Sequence, residues 1–148
     1  IESWCAVQDI CCTSRTAEWI NWRYSPKSQT NYEWICSFMG EELRAVAVWS
    51  IQKSRPFNRA SLVELLGQDQ NAVRSVLRET IIRAGTRGAT SLETLCNVES
   101  IVQSIRRVGF YRYKQIPLIV RKLTTRNLGA NIHNHAAWRI MGGDVDTY

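Results

Sequence analysis

The sequence predicts one small α/β domain with a mixed, mostly antiparallel sheet, a central parallel βαβ unit and flanking helices. Three observations support this: a β-hairpin pattern in residues 32–51, a strand-helix-strand pattern in residues 60–96, and a length of 148 residues, which suits one hydrophobic core. We expect a single domain over residues 1–148, divided into a helical lead-in, a core and a tail at 1–31, 32–120 and 121–148.

The lead-in carries apolar residues at a loose helical spacing up to about Ile20, interrupted by Thr13-Ser14, which predicts helix. Residues 19–26 are rich in aromatic side chains and end at Pro26, so we expect a connector packed on the core. Tyr32 to Met39 and Leu43 to Ile51 are rich in β-branched and aromatic residues. A short Gly-Glu-Glu turn separates them, which is typical of a β-hairpin.

The βαβ unit begins with the apolar run from Ala60 to Leu66. Asp69 is suited to cap the helix that follows, which carries apolar residues from Val73 to Ala84 at helical spacing and should stop at Gly85 and Gly88. Ser91 to Cys96 predicts a second strand, parallel to the first. We expect Asn97 to cap another helix ending at Gly109, and Phe110–Tyr113 and Ile116–Val120 to form two more strands, the second with Pro117 at an edge.

Composition favours a cytoplasmic globular protein. Hydrophobic residues make up 45% and charged residues 22%, and no apolar run approaches the roughly 20 residues of a membrane span. The start at Ile1 shows no pattern of a secretion signal, and it is compatible with a start inside a longer gene product. Five cysteines without a C-x-x-C pair predict reduced, mostly buried thiols.

The net charge of +6 lies in the second part of the chain, because residues 1–50 carry more acidic than basic side chains. A solvated basic face is the simplest interpretation of the group Arg106, Arg107, Arg112, Lys114, Arg121, Lys122 and Arg126. The alternative is binding of phosphates from a cofactor, a nucleic acid or an anionic lipid. Nothing resembles a helix-turn-helix or an aromatic RNA-binding sheet, so we expect no nucleic-acid partner.

The order hairpin, strand, helix, strand, helix, Gly-Phe, strand resembles the second to last elements of the GNAT acetyltransferase fold, from Tyr32 to about Val120. The string Ile105-Arg-Arg-Val-Gly-Phe110 is similar to the family's helix-end Gly-Phe signature. Two further strings resemble a bacterial GNAT-like subgroup associated with polysaccharide metabolism: Trp22-Arg23-Tyr24 with Pro26 and Tyr32, and Trp138 with Gly143-Asp144-x-Asp146. The resemblance implies transfer of an acyl group from acetyl-CoA or another acyl-CoA to an amine.

The resemblance also implies where acyl-CoA binds, namely Leu66, Gly67, Gln68, Gln70, Asn71, Ala72 and Asn97. The family usually carries an R/Q-x-x-G-x-G/A turn that holds the pyrophosphate at a helix N-terminus. The turn after Leu66 has one glycine and a carboxylate, Asp69, which repels phosphate. This degenerate motif leaves an alternative open, a catalytically inactive GNAT-like binding or assembly module.

Two residues are candidates for proton transfer. Glu64 stands where the family often carries a general base, and strand alternation is expected to place it on one face with Leu62 and Leu66; the alternative is a paired structural carboxylate. Ile105 replaces the tyrosine that often serves as the general acid. Tyr111, or Tyr113 beside it, is the candidate substitute, with aromatic packing as the alternative.

Other polar and aromatic residues carry weaker signals. His133 and His135 lack a third ligand at a recognised spacing, so no metal is expected. Asp144 and Asp146 beside two glycines favour a turn that docks the tail, with substrate contact as the alternative. Most of the six tryptophans are expected to be core or interface anchors, and a sugar- or peptide-binding cleft is the alternative.

The family's first strand and helix have no counterpart in the segment that can be read, because residues 1–20 look helical. The strand Tyr32–Met39 should then be an open sheet edge, which invites pairing with another chain. We therefore expect that the domain either forms a homodimer across this edge or is a truncated product.

Overall fold

The computed structural model describes residues 11–26, 30–53, 56–115 and 134–145. In these ranges four strands form one sheet in the order β1-β2-β3-β4: Tyr32–Met39 (β1), Glu42–Lys53 (β2), Asn58–Gly67 (β3) and Ser91–Thr94 (β4). The same ranges hold three α-helices, Ala17–Arg23 (α1), Gln70–Thr86 (α2) and Glu99–Arg107 (α3), and two 3-10 turns, His135–Ala137 and Gly142–Asp144. The predicted fold class is confirmed.

The predicted hairpin and βαβ unit are both present. Strands β1 and β2 pair antiparallel around Gly40, whose φ of 61° is in the left-handed region that glycine tolerates. Strand β3 pairs antiparallel with β2 and parallel with β4, to which α2 connects it. Asp69 caps α2, as predicted, by accepting hydrogen bonds from the N–H groups of Asn71 and Ala72.

Strands β2 and β3 are buried on both faces, which explains their near-continuous apolar sequence. One face packs on α2 and α3 through a cluster that includes Trp49, Leu62, Leu65 and Leu77. The other face packs on α1 and its flanks through Tyr24, Val46, Val48, Val63 and Leu66. Helix α1 and the residues beside it therefore cover the second face of the sheet.

Several local predictions were wrong. Helix α2 continues through Gly85 and ends before Gly88, whose φ is 82°. Helix α3 is capped at Val98 rather than Asn97, because the Asn97 side chain binds another segment. The segment Phe110–Tyr113 is not a strand: Tyr111 and Tyr113 are 82% and 69% exposed, and the segment has no ladder partner in the described part of the chain.

The connector holds helix α1 and only partly packs on the core, since Trp22 is 70% exposed. Other predictions lie outside the described residues: the helical pattern of residues 1–10, the strand Ile116–Val120, the basic residues Arg121, Lys122 and Arg126, and His133 and Asp146. None of the described helices is both long and apolar enough to cross a membrane.

Candidate functional site

A β-bulge in β3 decides which way Glu64 points. Glu64 and Leu62 oppose consecutive residues of β2, so Val63 has no residue opposite it. The extra residue shifts the alternation of side chains along β3. Leu62 and Leu65 therefore both face α2, whereas Val63 and Leu66 face α1. The expectation that Glu64 shares a face with Leu62 was wrong: Glu64 points to the α1 side, where its hydrogen-bond partners lie.

Glu64 is the centre of a buried polar network, called here the Glu64 network and formed by Arg15, Tyr24, Glu64 and Asp144. Glu64 Oε1 accepts hydrogen bonds from Arg15 Nη2 and from Tyr24 Oη, both at 2.9 Å. Arg15 Nη2 also donates to Asp144 Oδ2 at 2.8 Å. Arg15 and Glu64 are only 1% and 2% exposed. The network thus joins the lead-in, β3 and the tail at one buried ion-pair cluster.

Three buried polar atoms of this network have no hydrogen-bond partner among the described residues: Arg15 Nε, Glu64 Oε2 and Asp144 Oδ1. Burial raises the pKa of Glu64, while the positive charge of Arg15 works in the opposite direction. Burial and the charge of Glu64 also raise the pKa of Tyr24, so its hydroxyl stays protonated. A buried carboxylate with a raised pKa and one unpaired oxygen has the character of a general base, although structural ion pairs share these features.

The Gly142–Asp144 turn covers Glu64. Arg23 fixes this turn by donating from Nε to the carbonyl of Gly143 at 3.0 Å and from Nη2 to the carbonyl of Val145 at 2.9 Å. A Cβ atom at Gly143 would lie 2.5 Å from Glu64 Oε1 and closer still to Tyr24 Oη. The approach is so close that only glycine fits, and the turn shields Glu64 from solvent.

The end of β3 packs closely on the start of α2 at Gly67. A Cβ atom there would lie 2.6 Å from the Val73 side chain and 3.0 Å from Ala45. Glycine thus allows strand and helix to meet, which is a packing reason for the single glycine of the predicted cofactor turn.

The N-terminus of α2 is already occupied by a carboxylate of the chain itself. Asp69 Oδ1 accepts from the N–H groups of Asn71 and Ala72, each at 2.9 Å, and Asp69 Oδ2 accepts from Arg44 Nη2 at 3.0 Å. The hydrogen bond from Ala72 and the pairing with Arg44 lower the pKa of Asp69, so it stays ionised. The N–H of Gln68 is also bonded, to the Arg44 carbonyl at 2.9 Å.

Strands β3 and β4 separate beside Glu64. Their ladder joins Arg59–Leu62 to Ser91–Thr94 and then stops. Cys96 instead forms an antiparallel bridge with Met141 of the tail. The β4-facing edge of Val63–Gly67 therefore has no strand partner in the described sheet.

Two predicted site residues lie in other surroundings. The Asn97 amide donates to the Trp138 carbonyl and accepts from the Ile140 N–H, both at 2.7 Å, so the tail uses both ends of this side chain. Tyr111 lines an open cleft of about 620 Å³ between β4 and α3. The neighbouring Tyr113 donates to Glu93 Oε2 at 2.9 Å. No described contact joins Tyr111 to Glu64.

Sequence analysis missed Arg15, although one signal pointed to such a residue. A carboxylate inside the apolar run from Ala60 to Leu66 requires a buried cation or a proton, because an unpaired buried charge is costly. Seven basic residues precede Glu64 in the sequence, and Arg15 is the one that fills this role.

Metal ligands do not cluster in the part of the chain that the structure describes, where no group of three His, Cys, Asp or Glu residues is placed to hold an ion. No disulfide joins any of the four described cysteines, Cys11, Cys12, Cys36 and Cys96. Cys36 is exposed, which differs from the expected burial, whereas burial raises the pKa of Cys96 to about 11.

Solved structures share this arrangement of strands and helices. A putative acetyltransferase from Agrobacterium tumefaciens str. C58 superposes with a TM-score of 0.58 at 14% identity, over 74% of this chain and 81% of that protein. An aminoglycoside acetyltransferase from an uncultured soil metagenomic sample, in complex with trehalose, has a TM-score of 0.54 at 10% identity, with 66% and 69% covered. The fold is GNAT-like.

A transcriptional regulator from Bacillus halodurans C-125 is similar to the same degree, with a TM-score of 0.52 at 18% identity over 64% of this chain and 69% of that one. Comparisons with protein-family models and with curated proteins found no match. At these identities the likeness is one of fold, and the activity has to be argued from the site.

Proposed function

We propose that this GNAT-like domain is an acyltransferase that moves an acyl group from acyl-CoA to an amine by direct attack. The observation that carries the proposal is Glu64, a carboxylate with a raised pKa and an unpaired oxygen, at the point where β3 leaves β4. A base with a pKa raised toward neutrality is better matched to accepting a proton from an amine than an ordinary glutamate. Solved acetyltransferases of the same fold support this choice.

In the proposed reaction the amine nitrogen forms a bond to the thioester carbonyl carbon as the carbon–sulfur bond breaks. Glu64 Oε2 takes the proton that the amine loses, directly or through a water molecule. Tyr111, or solvent, returns a proton to the leaving sulfur, so that charge and protons balance. Because Glu64 Oε2 is buried, an amine reaches it only when the Gly142–Asp144 turn or a neighbouring side chain moves.

The described residues fit one part of acyl-CoA and not the other. Bound acyl-CoA would supply the acyl group as an activated thioester. In this proposal the amides of the pantetheine arm pair with the β4-facing edge of Val63–Gly67, which has no strand partner in the described sheet, and Leu66 lies beside the reacting carbonyl. The predicted pyrophosphate site does not fit as it stands, because Asp69 already accepts from the N–H groups of Asn71 and Ala72.

Thermal unfolding with and without acetyl-CoA tests the proposal first. A ligand at about 100 times its dissociation constant adds about 2.7 kcal/mol to the free energy of unfolding. Release of free thiol in the presence of an amine panel then measures turnover. The Glu64→Gln variant should keep the thermal shift and lose turnover. No shift and no turnover at millimolar acetyl-CoA would contradict the proposal.

A second candidate is an inactive assembly module that dimerises through β1. In the described sheet β1 has a neighbour on one side only, and Trp34, Phe38 and Met39 on it are 38%, 60% and 63% exposed. An exposed edge strand with apolar side chains favours pairing with β1 of a second copy. Light scattering should then give the mass of a dimer, and Phe38→Lys should give a monomer. A wild-type monomer at high concentration would contradict this candidate.

A further inference from the structure

Asp69 stands where a phosphate would lie in a helix-bound anion site. The first N–H groups of a helix have no partner within the helix and attract anions. At the start of α2, Asp69 Oδ1 accepts hydrogen bonds from the N–H groups of Asn71 and Ala72. The backbone carbonyl of Asp69 accepts a hydrogen bond from the N–H of Val73 at 3.1 Å. Two of the donors that would face a phosphate are thus already bonded to the Asp69 side chain.

Arg44 holds Asp69 in this position. It lies at a bulge in the pairing of β1 with β2, where Phe38 opposes Leu43 and Ser37 opposes Ala45, so Arg44 has no residue opposite it. From there its guanidinium binds the Asp69 carboxylate, and its carbonyl accepts the Gln68 N–H.

These contacts remove the attraction that the N-terminus of α2 would otherwise have for an anion. The negative charge of Asp69 repels a phosphate that approaches the positive end of the helix. The positive charge of Arg44, which would attract a phosphate, is paired with Asp69. A diphosphate would have to displace the carboxylate from both N–H groups before it could bind there.

We propose that Asp69 determines donor specificity: it closes the N-terminus of α2 to phosphate, so that the acyl donor is recognised by its pantetheine thioester and not by its pyrophosphate. The second half of this statement rests on the proposed function. The first half stands on the contacts of Asp69 alone.

Calorimetric titration of S-acetylpantetheine and acetyl-CoA tests the proposal, with three variants compared with wild type. Asp69→Gly removes the carboxylate, and it is tolerated because glycine is an acceptable N-cap. Asp69→Asn removes the charge but keeps an oxygen that can bind the same N–H groups. Glu42→Gln is the matched control, since Glu42 is another carboxylate paired with Arg44, at 3.3 Å, that makes no contact with the helix N–H groups. Thermal unfolding of each variant checks that it folds.

We expect wild type to bind the two donors with affinities within about threefold of each other. Asp69→Gly should bind acetyl-CoA about twofold to fivefold more tightly and leave S-acetylpantetheine binding unchanged, since one charge at an exposed helix end accounts for roughly that factor. Asp69→Asn should gain less, and Glu42→Gln should gain nothing. A wild-type preference for acetyl-CoA of about tenfold or more, or an equal gain in Glu42→Gln, would overturn the inference.

If wild type binds neither donor, the proposed function fails, and inorganic pyrophosphate decides the role of Asp69 separately. Pyrophosphate binding that appears in Asp69→Gly and is absent from wild type and from Glu42→Gln supports closure of the helix end by Asp69. Absence of pyrophosphate binding from every variant overturns it.

Discussion

Replacing Arg15 with methionine tests how much the Glu64 network contributes to stability. Methionine keeps most of the side-chain volume and removes the charge. Glu64 is 2% exposed and the Asp144 side chain 10% exposed, so both carboxylates would remain buried without their cation. Removing one partner of a buried ion pair costs about 3–5 kcal/mol. At about 2–4 °C per kcal/mol for a chain of this size, the midpoint of thermal unfolding should fall by about 6–20 °C.

Urea unfolding followed by circular dichroism measures this loss. Arg83→Met is the matched control, because Arg83 is 50% exposed and pairs with Glu79 on the surface of α2, where such a pair contributes about 0.5 kcal/mol. Adding Glu64→Gln to Arg15→Met should restore at least about 1 kcal/mol, since it removes one of the uncompensated charges. A loss below about 1 kcal/mol for Arg15→Met would refute the view that this network closes the core.

Two further predictions concern the same site. Gly143→Ala would force a Cβ atom against Glu64 and Tyr24, so it should cost about 1–3 kcal/mol in urea unfolding. In contrast, Gly85→Ala meets no atom within 4 Å inside α2 and should gain about 0.5–1 kcal/mol; equal effects would contradict the described packing. Because the pKa of Glu64 is raised in the folded protein, Glu64 ionises at a lower pH in the unfolded chain than in the folded one. Its contribution to the free energy of unfolding is therefore full below the ordinary glutamate pKa and is lost as the pH rises toward the pKa of the folded protein. Glu64→Gln should lack this decline above the ordinary glutamate pKa, and parallel pH profiles would show that the Glu64 pKa is not raised.

Elements defined by local signals were predictable. The glycine-containing turn between two β-branched runs gave the hairpin, and Asp69 before an amphipathic pattern gave the start of α2. The parallel pairing of β3 with β4 followed from the helix between them. In each case the determining residues are neighbours in sequence, so one pattern contains the information.

The site depended on contacts between distant segments and could not be predicted in the same way. Arg15 and Glu64 are 49 residues apart, and Arg15 and Asp144 are 129 apart. The bulge at Val63 separates Glu64 from Leu62, although Glu64 shares a face with Leu66 as expected, and no residue type marks the position of the bulge. The neighbouring sequence predicts that Asn97 caps a helix. In the structure its side-chain amide instead forms hydrogen bonds with the backbone of the tail segment, at Trp138 and Ile140.

Asp69 and Glu64 are the two carboxylates of the proposed donor and acceptor sites, and they differ in how much of the domain must change to remove or expose each. Asp69 is 40% exposed and bound to the end of a helix, so a single substitution can remove it without opening the core. Glu64 is buried with Arg15 beneath the Gly142–Asp144 turn, so exposing it requires the lead-in and the tail to separate. The proposed closure of the helix end to phosphate is therefore a local feature that one substitution reverses, whereas the proposed access of an amine to Glu64 is coupled to the stability of the domain. Variants that loosen the turn, such as Gly143→Ala, should consequently expose Glu64 and lower the stability of the domain together. An acyltransferase activity that rises as stability falls would identify Glu64 as a base and not only as a structural anion.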